Sequence, residues 1–152
     1  MIDDIYSQKI LQLAGNIGRI GRLEEADARV HKVARLCGSM VTVYLNVEND
    51  VVSDFSHEVR ACALGQASSA IMAQQIIGAT SEELRSARDQ MLEMLAGEGE
   101  GPDGRFEQAK LLMPVKDFKS RHGSVMLTFE AVCEALDQIS AEPVAVAQQS
   151  EA

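Results

Sequence analysis

Cys37 and Cys62 are the residues of this chain best placed to do chemistry. Cys37 lies in Arg35-Leu36-Cys37-Gly38-Ser39 and Cys62 in Arg60-Ala61-Cys62-Ala63-Leu64-Gly65-Gln66-Ala67-Ser68-Ser69. Each closes a strand-like run and opens onto small residues, an element end from which a thiolate reaches a metal or a sulfur donor. Gly38 lets the backbone turn sharply beside Cys37, so that the thiol points away from its strand. Cys62 stands where strand gives way to helix, and the free amides of a helix start favour a thiolate electrostatically. The competing reading is two unrelated buried cysteines. Free Cys is among the most buried residue types, and two cysteines without CxxC spacing carry little metal signal.

His122 and Ser124 open the last helix and offer a third and a fourth group to the same site. Imidazole is a common zinc or iron ligand, whereas a hydroxyl ligates poorly until it is deprotonated. Beside Lys119 and Arg121, His122 also reads as a solvated helix-start histidine. Cys133 is nine residues beyond Ser124, about half a turn round a helix, so it faces the core if Ser124 faces the site. His31 and His57 fall within strands and read as structural, and the methionines of the helices read as core filler. The chain has no GxxxxGK[ST], no strand-linked GxGxxG and no G-x-S-x-G, which leaves nucleotide chemistry and serine hydrolysis without support.

The elements that must position these groups are legible in the periodicity. Ile2, Ile5, Tyr6, Ile10 and Leu13 recur at helical spacing and predict an amphipathic helix over 2–14. Residues 40–47 alternate, with Val41, Val43, Leu45 and Val47 on one face and Thr42, Tyr44 and Asn46 on the other. After the turn cluster Glu48-Asn49-Asp50 a second strand runs over 51–59, with Val51, Phe55 and Val59 sharing one parity. Residues 28–35 are a weaker third strand. From Ala63 the pattern turns helical and small or apolar nearly all round, which predicts a buried helix ending near Gly78. Thr80-Ser81-Glu82-Glu83 is a capping box, and its helix carries Leu84, Ala87, Met91 and Leu95 on one face. A loop over 97–104, a short helix over 106–113 stopped by Pro114, and a last helix over 118–139 complete the chain. The expected fold is α+β: a small three-stranded antiparallel sheet packed on one side by helices, with an N-terminal helix and a long C-terminal one. It forms a single domain over 1–140, followed by a tail over 141–152 too poor in apolar residues to fold.

Composition bounds the function. The chain has 152 residues, 46% hydrophobic and 24% charged, with a formal net charge of −9. That suits one globular domain with an acidic surface, which repels phosphate backbones and argues against nucleic-acid binding. No apolar run approaches the ~20 residues of a membrane span. The acidic start Met1-Ile2-Asp3-Asp4-Ile5 is unlike the basic start of a secretory signal, so a cytoplasmic location is expected. Three cysteines is an odd number, and in a reducing compartment metal or sulfur chemistry is a better expectation than disulfides.

The two cysteine motifs and Arg121-His122-Gly123-Ser124-Val125 together resemble the iron–sulfur cluster assembly scaffold family (NifU/IscU/SufU-like), over residues 2–138 in element order. In that family the first motif reads Cys-Gly-Asp. The second reads Gly-Cys-Ala-Ile-Ser followed by Ala-Ser-Ser, and the third is a cysteine opening the last long helix. Cys37 and Cys62 stand at the first two cysteines. Ser39 stands where the family has aspartate, Ser124 where it has the third cysteine, and Gly123 where some members carry a histidine. This is a divergent pattern, with His122 one position off.

The resemblance implies a carrier and not a turnover enzyme. Cys37 and Cys62 would bind iron or an iron–sulfur cluster, with His122, Ser124 and Ser39 as further metal-facing groups. Iron and sulfide, or persulfide sulfur from a cysteine desulfurase, would be taken up and passed to acceptor apoproteins. A homodimer giving Cys37 and Cys62 from each chain would supply four thiolates, the soft ligands that hold such clusters. Zinc is the alternative metal, in a zinc-dependent sulfur-transfer adaptor. The remaining alternative is a degenerate scaffold fold acting as a protein-interaction module.

Overall fold

The computed structural model describes the backbone of residues 7–151 and the side chains of residues 7–140. Three strands, β1 (Ala28–Ala34), β2 (Ser39–Glu48) and β3 (Val51–Arg60), form one antiparallel sheet in the order β1-β2-β3. The alternation of β2 builds it: Val41, Val43 and Leu45 point into the core, paired on one side with Lys32, Val30 and Ala28 and on the other with Val59, His57 and Phe55. The turn of the β2–β3 hairpin uses Asn49 and Asp50, both at positive φ, a conformation these two residue types tolerate best after glycine.

One expected face is corrected. The register slips between Asn46 and Val47, so that Asn46 faces Asp54 but Val47 faces Val52. Ser53 is the extra residue of a β-bulge, and it reverses the parity of the strand start. Val52, not Val51, is therefore buried beside Val47 and Phe55.

Helices cover the inner face. α1 (Gln8–Ala14) is capped by Ser7, whose hydroxyl accepts from the Ile10 amide, and it buries Ile10 and Leu13. Ile2, Ile5 and Tyr6 of the expected longer helix lie outside the described residues. α2 (Ala63–Gln75) is buried almost throughout. α3 (Ser81–Leu95) starts at the expected capping box, with Thr80 Oγ1 accepting from the Glu83 amide and Glu83 accepting from the Thr80 amide. Leu84, Ala87, Met91 and Leu95 form its buried face. Arg105 stitches these two helices together. It donates to the carbonyls of Gln75, Ile77 and Gly78 at and past the end of α2, and to the Glu83 carboxylate.

The short helix expected to stop at Pro114 instead continues as tight 3₁₀ turns over Gly104–Asp117, with a kink at Phe106. Pro114 lies inside these turns and removes one N–H donor from them. After a further turn over Lys119–Arg121, α4 (His122–Glu151) crosses beneath β1 and β2. Its backbone bounds take in the stretch expected as a tail up to Glu151, whose side chains lie outside the described residues. No helix among the described residues is long and apolar enough to cross a membrane.

The β1–β2 turn and the end of β3 fall at one end of the sheet, while the hairpin tip falls at the other. That common end carries the cysteines.

Candidate functional site

At this end four side chains from three separate segments meet in one hydrogen-bonded row. The Cys37 thiol lies 3.3 Å from Ser39 Oγ and can donate to it. Ser39 Oγ lies 3.0 Å from Ser124 Oγ, and Ser124 Oγ lies 3.2 Å from Cys62 Sγ. Cys37 occupies the turn between β1 and β2. The turn closes through the Gly38 amide donating to the Ala34 carbonyl, with Gly38 at φ +73°, a conformation glycine adopts without strain. Ser39 is the first residue of β2. Cys62 is the N-cap residue of α2, its carbonyl accepting from the Gln66 amide. Ser124 lies in the first turn of α4.

The serines are buried and the cysteines half-buried, so the hydroxyls form the floor and the sulfurs the mouth. Gly65 permits this floor. A Cβ built there would stand 2.5 Å from Ser124 Oγ and 2.8 Å from Ala61 Cβ. Farther along, Ser68 donates to the Val125 carbonyl and Ser69 bonds Thr128, so a stripe of small hydroxyl residues lets α2 and α4 run close.

Partial burial by itself pushes the Cys37 thiol up. Hydrogen bonds from the Ser39 hydroxyl and backbone and from Ser124, with the nearby Arg121 charge, outweigh it and hold the thiol below its ordinary value. In the thiolate form the serine hydroxyls turn to donate, which is the arrangement that stabilises the negative sulfur. Cys133 is the contrast. Burial pushes its pKa up to about 11, and its thiol faces the Leu84 carbonyl inside the core, as its spacing from Ser124 predicts.

Of the expected site residues, the structure brings Cys37, Cys62, Ser39 and Ser124 together. It holds His122 elsewhere: Nε2 lies 2.9 Å from the Val115 carbonyl and 3.1 Å from that of Lys116, and the ring borders a groove with Leu92, Lys119 and Met126. His31 bonds Thr42 and His57 bonds the Gly18 carbonyl, both as parts of the scaffold. Among the described residues no group of three or more His, Cys, Asp or Glu side chains gathers as a metal site. A cavity of about 840 Å³ between α1 and the Gly104–Asp117 segment is lined by Lys9, Gln12, Glu107 and their neighbours and includes neither thiol. Sequence reading did not single out Arg121 as a charge acting on Cys37. Its position three residues before Ser124 was the available signal.

A small antiparallel sheet with helices on one face, and two thiols over buried hydroxyls at its open end, defines an α+β protein with a paired-thiol site. The chain belongs to the NifU-like N-terminal domain family, whose model matches residues 5–124. It is 32% identical over 136 residues to the iron–sulfur cluster assembly scaffold protein IscU of Thermotoga maritima, covering 90% of this chain and 95% of that one. A crystal structure of the N-terminal part of a nitrogen-fixing NifU-like protein from Brucella abortus shares the fold with a TM-score of 0.90 and 55% identity, over 91% of this chain and 96% of that one. A structure from Fervidobacterium islandicum AW-1, described as a candidate iron–sulfur cluster assembly scaffold for the SUF system, overlays with a TM-score of 0.79 at 27% identity, over 88% and 98%.

Proposed function

We propose that this protein is an iron–sulfur assembly scaffold that takes up iron and sulfur on Cys37 and Cys62 and passes them on. The observation that carries the reading is the row Cys37–Ser39–Ser124–Cys62, which gathers both thiols of the family's first two motifs at one open end of the sheet. Two thiolates are soft ligands for iron and for iron–sulfur cargo, and the two hydroxyls beneath them donate hydrogen bonds to bound sulfur. One chain offers half of a four-thiolate set. Two copies, each contributing Cys37 and Cys62, complete it. Sulfur arrives from a cysteine desulfurase and the cargo leaves to acceptor apoproteins, so the chain acts as a carrier with no turnover of its own.

The test is anaerobic incubation with iron, sulfide and a desulfurase, followed by bound-iron analysis, visible absorption and light scattering. Bound iron with sulfide-to-iron charge-transfer absorption on a dimer, lost in the Cys37→Ala/Cys62→Ala chain, is expected. Uptake unchanged in that double variant, or no uptake by the parent chain, overturns the proposal. Ser124→Cys places a third thiol in the row, and cargo retention is expected to rise.

A further inference from the structure

The outer strand β1 leaves one side without a strand partner among the described residues. In a chain of net charge −9, the stretch Ala28–Ala34 carries Arg29, His31 and Lys32 and no acidic residue, and Arg35 follows it. Among the described residues β1 pairs only with β2, so alternate N–H and C=O groups along its other side point away from the sheet. Among the described residues, the only non-ladder backbone hydrogen bond involving β1 is the Gly38 amide on the Ala34 carbonyl, at the strand's end.

The two faces of this edge differ. Arg29 and Val33 point outward opposite Tyr44 and Met40, and His31 points outward to bond Thr42. Val33 is 44% exposed, and Leu36 in the adjoining turn is 85% exposed. On the inner face Lys32 is held at 3.0 Å by Glu134 of α4, with Glu130 one turn before it. A strand laid along β1 would therefore meet cations outside and carboxylates inside. A second copy of β1 would bring together two strands that each carry Arg29, His31 and Lys32 and no acidic residue, and like charges across strands repel.

We infer that the free edge of β1 takes an extended segment of a partner protein as a fourth strand, one whose outward residues are acidic and whose inward residues are apolar or small, so that no acidic side chain faces Glu130 and Glu134. Backbone pairing along the strand supplies the contact, and the alternate side chains supply the choice of partner. The added strand would end at the turn that holds Cys37, so its owner would be delivered to the mouth of the site.

The test uses the full ¹⁵N-labelled chain and a blocked nonapeptide with glutamate at every second position and valine or threonine between. Amide shifts and slowed hydrogen exchange concentrated in residues 28–34 are expected on titration. Affinity is expected to fall at least tenfold for a peptide N-methylated at alternate amides, for the lysine counterpart, and for the Arg29→Glu/Arg35→Glu chain, checked as folded by circular dichroism. Equal binding by the N-methylated peptide shows a side-chain surface and no strand addition. That result overturns the inference, as do equal binding by the lysine peptide, shifts confined to other elements, and no binding at millimolar peptide. The Cys37→Ala/Cys62→Ala chain is expected to bind the peptide as the parent does, so this inference and the cargo reading fail separately.

Discussion

Replacing Gly65 with alanine drives a methyl group into the floor of the thiol site. The new Cβ would meet Ser124 Oγ at 2.5 Å, Ala61 Cβ at 2.8 Å and the Ser124 carbonyl at 3.2 Å. The hydroxyl can rotate away, at the cost of its bonds to Ser39 and Cys62. The Ala61 contact yields only if the backbone entering α2 shifts, since Ala61 directly precedes the N-cap Cys62. Alanine gains about 1 kcal/mol over glycine inside a helix. Overpacking a close contact costs about 1–3 kcal/mol, with the upper half of that range fitting two contacts below 3 Å. The expected balance is a loss of about 1–2 kcal/mol, which lowers a urea midpoint by about 0.5–1 M at a slope of about 2 kcal/mol/M. Urea unfolding followed by circular dichroism measures it. A Gly65→Ala chain as stable as the parent would refute the claim that contact between the two helices sets the site's floor.

Ser124→Ala removes the hydroxyl shared by both thiols. The pH profile of alkylation at Cys37 is expected to move to higher pH, while Cys133, with a pKa near 11, stays unreactive in the native chain. His57 is buried and its pKa lies below the ordinary imidazole value, chiefly through desolvation, with the Gly18 carbonyl opposing in part. The unfolded chain therefore binds the proton more readily. This group's stabilisation is full above pH 6.5 and is lost as the pH falls through the lower folded value. His57→Gln is expected to flatten the acid side of a stability–pH curve, and an unchanged slope would count against the burial argument. Arg105→Ala removes four hydrogen bonds, three of them to carbonyls at and just beyond the end of α2. A loss of about 2–3 kcal/mol is expected in thermal or urea unfolding, with Arg105→Lys recovering only part, since an ammonium cannot fork to several carbonyls at once.

Much of this architecture was legible in local periodicity. The alternation of 40–47 and the turn at 48–50 predict the hairpin, and Thr80 with Glu83 predicts the start of α3, because each depends on residues within a few positions of one another. Ser53 escaped notice because Val51 and Val52 are both apolar, so the pattern does not show which one the bulge turns inward. Pro114 marks a missing donor but not the tight turns that absorb it. The site was legible as its parts: the motifs pointed to Cys37, Cys62, Ser39 and Ser124. The bond between Ser39 and Ser124 spans 85 positions, and no period within a strand or helix encodes such a meeting. His122 shows the converse. Its residue type and place suit a ligand, yet two carbonyls seven and six residues earlier hold its ring, a contact that only the folded turn creates.

The hairpin tip gives the sheet unequal ends. Val52 donates to the Ala79 carbonyl, Gly78 donates to the Val52 carbonyl, and Val51 bridges to Thr80, so the tip is laced to the connection between α2 and α3. Among the described residues the cysteine end has no such backbone lacing to a neighbouring segment; hydroxyl contacts and the packing of α4 hold it. Breathing motions that open part of a native protein start where the fewest cooperative bonds must break together. In this molecule the fewest such bonds lie at the thiol end, while the far end keeps the strands in register.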